Sequence, residues 1–244
     1  MKTTITLHRD NFVQQFLLPL SKLTEKIILT LTANSIVATC STVDASVVLC
    51  AEYKSDLSVD TTINLNIPDI KKLLKLLNNV DSEQIILTYN ENHLAYTSKT
   101  LKFKYFLLED GYVQRCPVSS TKIRSLTHDS SFFLSKESLS EILRGQTVAT
   151  DAGKVYFYLQ DNCIHAELND RERCNINNIT YFVSDEFEGE EFIPLAVDLE
   201  SLRMLTGLKG NGFTVKINTK INVLLFDIDD TDVSIRFAIS ALVK

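Results

Sequence analysis

Long hydrophobic runs are missing from this sequence. No apolar stretch reaches the roughly 20 residues that a membrane-spanning helix needs, and the polar opening MKTTITLHRD holds no apolar segment of a secretory leader. The expectation is an intracellular protein without membrane contact. Cysteine is scarce too: five residues, an odd number without CxxC spacing, exclude a disulfide framework and a zinc knuckle. Cys40, Cys50, Cys163 and Cys174 sit in apolar or alternating segments and read as small buried side chains. The four histidines, His8, His93, His128 and His165, form neither HxH nor HExxH, and there is no glycine-rich phosphate loop or nucleophile elbow. No catalytic residue, metal ligand or cofactor site is therefore expected, and the chain does not read as an enzyme. The acidic run DIDDTD, with Asp227, Asp229, Asp230 and Asp232, lacks the glycine and terminal glutamate of a calcium loop and reads as a solvated hairpin turn. SDEFEGEEF, residues 184–192, reads as a mobile acidic loop.

An excess of positive charge is missing as well. Asp and Glu number 31 against 25 Lys and Arg, a net charge of −6, which discourages adhesion of the average surface to nucleic acid. One face can still be basic, so the placement of the cations matters more than their sum. The 244 residues suffice for one large domain or two of roughly 120, each with its own core.

What is abundant is alternation. TTITLH, KIILTLT, SIVATCS, ASVVLCAEY, TTINLN, QIILTYN, LAYTSKT and LKFKYFLL read as strands of about six residues, separated by turn-forming TANS, STVD and YNENH. Helices are expected over 10–22, 68–78, 136–146 and 198–205. Pro68 suits a first helical turn, Asp69 favours the positive end of the helix dipole, and Ser135 and Asp198 are good N-caps. Pro19 should kink or end the first helix near Leu18. The order of elements then repeats. SFFLSKESLSEILRG answers TITLHRDNFVQQFLL, KVYFYLQDNCIHAEL answers KIILTLTANSIVATC, and FIPLAVDLESLRML answers TINLNIPDIKKLLKL, each about 130 residues later. Two copies of one domain, 1–108 and 131–244, are thus expected, joined by a connector over 109–130 that carries Gly111 and Pro117 and no sustained periodicity.

Within NIPDIKKLLKLLNN, a turn of about 100° per residue puts Ile70, Leu73, Leu74 and Leu77 on one side and Lys71, Lys72 and Lys75 on the other. A solvated lysine face is the ordinary reading of such a helix. Lys22, Arg144, Arg203 and Lys209 lie on or beside the other helices and extend the same basic character, diluted by Glu137, Glu141 and Glu200.

A duplicated strand, helix and strands unit with two short helices per domain and a long connector resembles the ring-shaped DNA sliding clamps, the family of proliferating cell nuclear antigen and phage polymerase processivity factors. The likeness spans essentially the whole chain and is best in DASVVLCAEY, in INLNIPDIKKLLKLLNNVDSEQIILTYNENHLAYTS and in SKESLSEILRGQTVATDAGKVYFYLQDNCIHAEL. It implies an α+β clamp fold of two similar domains, antiparallel sheets outside and two short helices per domain inside. Two-domain subunits of this family form homotrimeric rings that encircle double-stranded DNA independently of its sequence, tether a DNA polymerase and other partners, and are opened by an ATP-dependent clamp loader.

The resemblance also implies sites. Lys72, Lys75 and Arg144 match the family's DNA-facing cations and Lys71 is their immediate neighbour; Lys22, Arg203 and Lys209, from their places on or beside the other helices, would join them in facing DNA. Lys102, Phe103, Tyr105 and Phe106 in LKFKYFLL, with Ile176, Ile179 and Tyr181 in NINNITYFV, would join subunits. Partner peptides would dock over Cys40, Val43, Val47, Ile123, Leu126, Ala241 and Leu242. Gln14 and Gln15 stand where cellular clamps usually carry lysines, and Gly207 where the last helix often carries another. These departures point to a phage or other viral system, with the cytoplasm of a bacterial host as the location for a phage protein. The alternative is a viral clamp-fold platform for transcription that tethers no polymerase.

Overall fold

Alternating apolar and polar residues send every second side chain of a strand to one face, and the strands pair accordingly. The computed structural model describes residues 2–55, 57, 59, 61–171, 173 and 177–242. The chain divides into two units, residues 1–123 with 229–235 and residues 124–228 with 236–244. No helix among the described residues is long and apolar enough to cross a membrane.

The first unit runs β1 (Lys2–His8), a π-helical segment (Asn11–Leu17), α1 (Leu18–Leu23), β2 (Ile27–Leu31), β3 (Ser35–Ser41), β4 (Val47–Lys54), β5 (Ile63–Ile67), α2 (Ile70–Asn78), β6 (Gln84–Asn90), β7 (His93–Thr97) and β8 (Lys102–Phe106). Its strands lie in the orders β1-β6-β7-β8 and β4-β3-β2-β5, and the pairings among them are antiparallel. A short helix α3 (Ser120–Arg124) follows in the connector. The second half of the chain runs β9 (Ser130–Ser135), α4 (Lys136–Gly145), β10 (Lys154–Gln160), β11 (Cys163–Asn169), β12 (Ile179–Ser184), β13 (Phe187–Gly189), β14 (Leu195–Asp198), α5 (Leu199–Arg203), β15 (Gly212–Asn218), β16 (Val223–Asp229) and β17 (Val233–Ser240). Its orders are β12-β11-β10-β14 and β13-β9-β15-β16-β17. Without β13 the second unit repeats the first strand for strand: β9 stands for β1, β10 to β12 for β2 to β4, β14 for β5, α5 for α2, and β15 to β17 for β6 to β8.

Each core lies between helices and sheets. Phe12 and Phe16 stack at 5.3 Å, and Tyr53 of β4 meets Phe12 edge-on at the same distance. Ile70, Leu73, Leu74 and Leu77 are the buried residues of α2, and Leu139, Ile142 and Gly145 those of α4. Gly145 has a steric reason: a Cβ there would meet the Tyr181 ring and hydroxyl of β12, the nearest atom 2.5 Å away.

The structure refines several expectations. The first helix is not kinked apart at Leu18; it changes type. The Leu18 N–H reaches back five residues to the Val13 carbonyl, and Pro19, which has no N–H to give, occupies the first turn of α1. Pro68 stands outside α2, because Asp69 is the N-cap, its side chain accepting the Lys72 N–H at 2.8 Å. The connector gains α3, whose Ser119 hydroxyl accepts the Lys122 N–H at 3.3 Å and which buries Ile123. The acidic stretch 184–192 contains β13, where Phe187, Glu188 and Gly189 pair with Phe132, Ser131 and Ser130. Cys40 and Cys50 are buried and Cys163 is half-buried, while Cys174 lies outside the described residues.

Asp227 is not part of a solvated turn. It lies on β16 with its side chain 5% exposed, accepts two bonds from Arg236, Nε at 2.6 Å and Nη2 at 2.7 Å, and one from Lys216 Nζ at 3.0 Å. Arg236 also donates to the Arg124 carbonyl at 3.2 Å, which ties the end of α3 to β17. Removing one member of such a buried cluster leaves the others uncompensated. Asp227→Ala is expected to cost about 3 kcal/mol of unfolding free energy, measured by urea denaturation of the full chain; a loss no larger than that of an exposed aspartate, such as Asp230→Ala, would show that the cluster contributes little.

Candidate nucleic-acid interface and assembly edges

Both ends of the lysine helix are held. At its start the Ile70 N–H donates to the Glu25 carbonyl at 2.9 Å. Tyr105 of β8 grips the cap residue twice, its hydroxyl donating to the Asp69 carbonyl at 2.7 Å and accepting the Asp69 N–H at 3.1 Å. Burial pushes that hydroxyl up to about 12, so it remains a neutral donor across the physiological range. Just past the end, Arg9 Nη1 donates to the Val80 carbonyl at 2.8 Å. Lys71, Lys72 and Lys75 are all exposed and, with Glu25 and Asp69, line a shallow depression of about 420 Å³. The two carboxylates offset part of the lysine charge at the helix start. Lys22, at the end of α1 beside α2, is exposed at the surface, and partial burial lowers its pKa.

The second unit gathers arginines instead. Arg144 closes α4, Arg203 closes α5, and the two helices lie against each other. Both guanidinium groups line a depression of about 520 Å³ with Leu143, Gln146, Thr147 and Thr150. Arg203 is also bound to the Gln146 side-chain carbonyl and to Glu200 at 2.8 Å, so part of its charge is already engaged. Lys209 is exposed in the loop after α5 and does not line that depression. Gln14 is exposed and donates to Asn78 at 3.2 Å, whereas Gln15 is 7% exposed and donates to Asn11 at 3.1 Å. Gln15 thus belongs to the interior rather than to a surface that could meet phosphate. Compact ammonium and guanidinium groups on helix faces suit phosphate contacts, which carry no sequence information.

Among the described residues, six strands, β1, β5, β8, β12, β13 and β14, have a strand neighbour on one side only, and the free sides of most are covered. The outer side of β1 is taken by the Tyr53 hydroxyl, which accepts the His8 N–H at 2.8 Å, and by Ser55, which donates to the Thr6 carbonyl at 3.3 Å. On β5 the Asn66 carbonyl accepts the Leu108 N–H at 2.9 Å, and on β14 the Ala196 carbonyl accepts the Leu242 N–H at 2.8 Å. β13 has three residues. That leaves β8 and β12, whose outer backbone groups have no hydrogen-bond partner among the described residues. An uncovered edge is a template for another chain.

Two solved structures match this arrangement over nearly the whole chain. Proliferating cellular nuclear antigen from Entamoeba histolytica aligns with a TM-score of 0.74 at 14% identity, over 99% of this chain and 98% of that one. The antigen of A. fulgidus, solved with the C-terminal region of FEN-1 bound, aligns with a TM-score of 0.75 at 11% identity, over 99% of both. The fold is that of the DNA sliding clamps. No protein-family model and no curated protein matches the sequence.

On this clamp fold the expected edge and docking residues separate by exposure. Lys102 and Phe106 are exposed, Phe103 is half-buried against Tyr96 at 5.5 Å, and Tyr105 is buried against α2, so Tyr105 offers an edge its backbone and not its ring. Ile179 and Tyr181 are half-buried, Tyr181 over Gly145, and Ile176 lies outside the described residues. Of the docking set, Cys40, Val47, Ile123 and Ala241 are buried. Burial pushes the Cys40 thiol far above its ordinary value. Leu126 is half-buried, Leu242 is exposed, and Val43 stands fully exposed on a loop that the Asp44 carboxylate organises through Thr42 at 2.6 Å and Ser46 at 2.9 Å.

Sequence reasoning missed Tyr105 as the support of α2, although a tyrosine among the inward positions of LKFKYFLL was a signal for a buried hydroxyl in need of a partner. Tyr105→Phe leaves the Asp69 N–H and carbonyl without that partner. It is expected to lower stability by about 1–2 kcal/mol and to speed amide exchange at Ile70 to Leu73; unchanged exchange there would show that the hydroxyl does not hold the helix start.

Proposed function

We propose that this chain is a replicative sliding clamp, a non-enzymatic ring of three copies that encircles duplex DNA and tethers a DNA polymerase. The observation that carries the reading is the pair of uncovered edges, β8 and β12, on a clamp fold that spans the whole chain. An edge on each unit supports head-to-tail assembly, in which β8 of one copy pairs with β12 of the next and a closing rotation makes a ring. Self-pairing of β8 about its centre would set Lys104 against Lys104, a like-charge pair that destabilises a ladder. Pairing with β12 avoids it.

In such a ring Lys71, Lys72 and Lys75, with Arg144 and Arg203, face the phosphates loosely. With few cations per copy, retention on DNA comes from topological linkage rather than affinity, and the contacts exchange freely along the helix axis. Opening the ring falls to an ATP-dependent loader, and Val43 on its organised loop is an apolar anchor available to a partner peptide.

Light scattering of the full chain over a wide concentration range tests the assembly: a mass three times the subunit's 27.6 kDa is expected, and a monomer at every concentration would overturn autonomous clamping. Replacing Lys71, Lys72 and Lys75 together with alanine should leave that mass unchanged. It should also lower the salt slope of DNA association by about one unit for each lysine in contact. A triple variant with the slope and activity of the parent across a salt series would remove these lysines from the DNA face.

A further inference from the structure

The two uncovered edges carry matching aromatic pairs. On β8, Phe106 is 62% exposed, and its register partner on β7 is His93, the ring centroids 5.7 Å apart. On β12, Phe182 is 56% exposed, and its register partner on β11 is His165, at 6.0 Å and edge-on; His165 in turn stacks on Tyr158 of β10 at 5.6 Å. The neighbours Tyr105 and Tyr181 point toward α2 and α4, so by strand alternation both phenylalanines point to the helix-free face of their sheets. Each is a large apolar ring left in water at the rim of a sheet.

We propose that Phe106 of one copy and Phe182 of the next meet across the subunit junction. Their contact completes an aromatic ladder that runs from Tyr158 through His165, Phe182 and Phe106 to His93. The inference rests on the ring reading above and adds the side chains that select a second copy of this chain as the occupant of each edge.

Charge supports the same register. With the phenylalanines opposite each other, an antiparallel pairing carries the exposed Lys104 and Lys102 along β8 toward the end of β12, where Asp185 and Glu186 are exposed. Opposite charges then flank the aromatic contact. Cross-strand aromatic pairs, stacked or edge-to-face, stabilise a ladder beyond their buried area, so the junction gains both affinity and register on the face away from the helices, independent of the inward tyrosines.

The test is a double-mutant cycle on the full chain, read as the concentration dependence of mass by sedimentation or light scattering. Phe106→Ala and Phe182→Ala alter exposed rings, and equal thermal melts of monomeric samples check that the fold is kept. Each single variant is expected to weaken a junction about tenfold, and the double variant no more than about as much as either single, because each removes the same contact. Independent effects, with the double variant weakened by the product of the two, overturn the ladder while leaving the ring intact. So does a trimer indifferent to both substitutions. A parent chain that stays monomeric throughout overturns the ring reading itself.

Discussion

The two-residue period of a single strand constrains most of what this molecule can do. β8 turns Phe103 and Tyr105 inward and Lys102, Lys104 and Phe106 outward, and it can serve both faces only because the backbone alternates. Inward, the Tyr105 hydroxyl fixes the cap of α2 and so sets where its three lysines project. Outward and sideways, the same strand presents an unpaired backbone with an aromatic rim. The basic helix face and the unpaired edge are therefore mechanically connected: a shift of β8 by one residue would exchange its inner and outer side chains and release the helix start together.

The second unit repeats the strand orders of the first without repeating its surface chemistry. The cationic face is built differently, from three lysines on one helix in the first unit and from two arginines at the ends of two packed helices in the second. A helix end is a favourable place for a cation because it meets the negative pole of the helix dipole. Arg144 and Arg203 use that position, while Lys71 and Lys72 sit near the opposite pole and have Glu25 and Asp69 beside them. The second unit also has an addition, β13, which covers the edge of β9, whereas the equivalent β1 is covered by the side chains of Tyr53 and Ser55.

Much of the fold was legible in the sequence because the patterns were local. All eight strands read from the first half are present, since alternation is a property of neighbouring residues, and the apolar and lysine sides of α2 follow from helical spacing alone. What was not legible depended on partners distant in the chain. FEG becomes a strand only because β9 lies beside it. The change to π-helical hydrogen bonding before Pro19 is a matter of which carbonyl an N–H selects, and the proline marks only its end. In its own run Asp227 is one of four acidic residues, and the partners that set it apart, Lys216 and Arg236, lie on the strands beside it. Cys40 and Val47 were apolar residues of the right segment, but which neighbours cover them is decided by sheet packing and not by their own type. The uncovered state of β8 and β12 depends on which groups cover the other edges, and those come from distant parts of the chain.

The missing side chain at Gly145 has a consequence for the geometry of β12. With no Cβ on that turn of α4, the Tyr181 hydroxyl and ring edge occupy the space a side chain would need, so the strand lies closer to the helix than any other residue there would allow. Gly145 acts as a spacer of zero width. It sets the height at which an edge strand is carried above its helix, and with it the level at which any incoming strand would have to arrive.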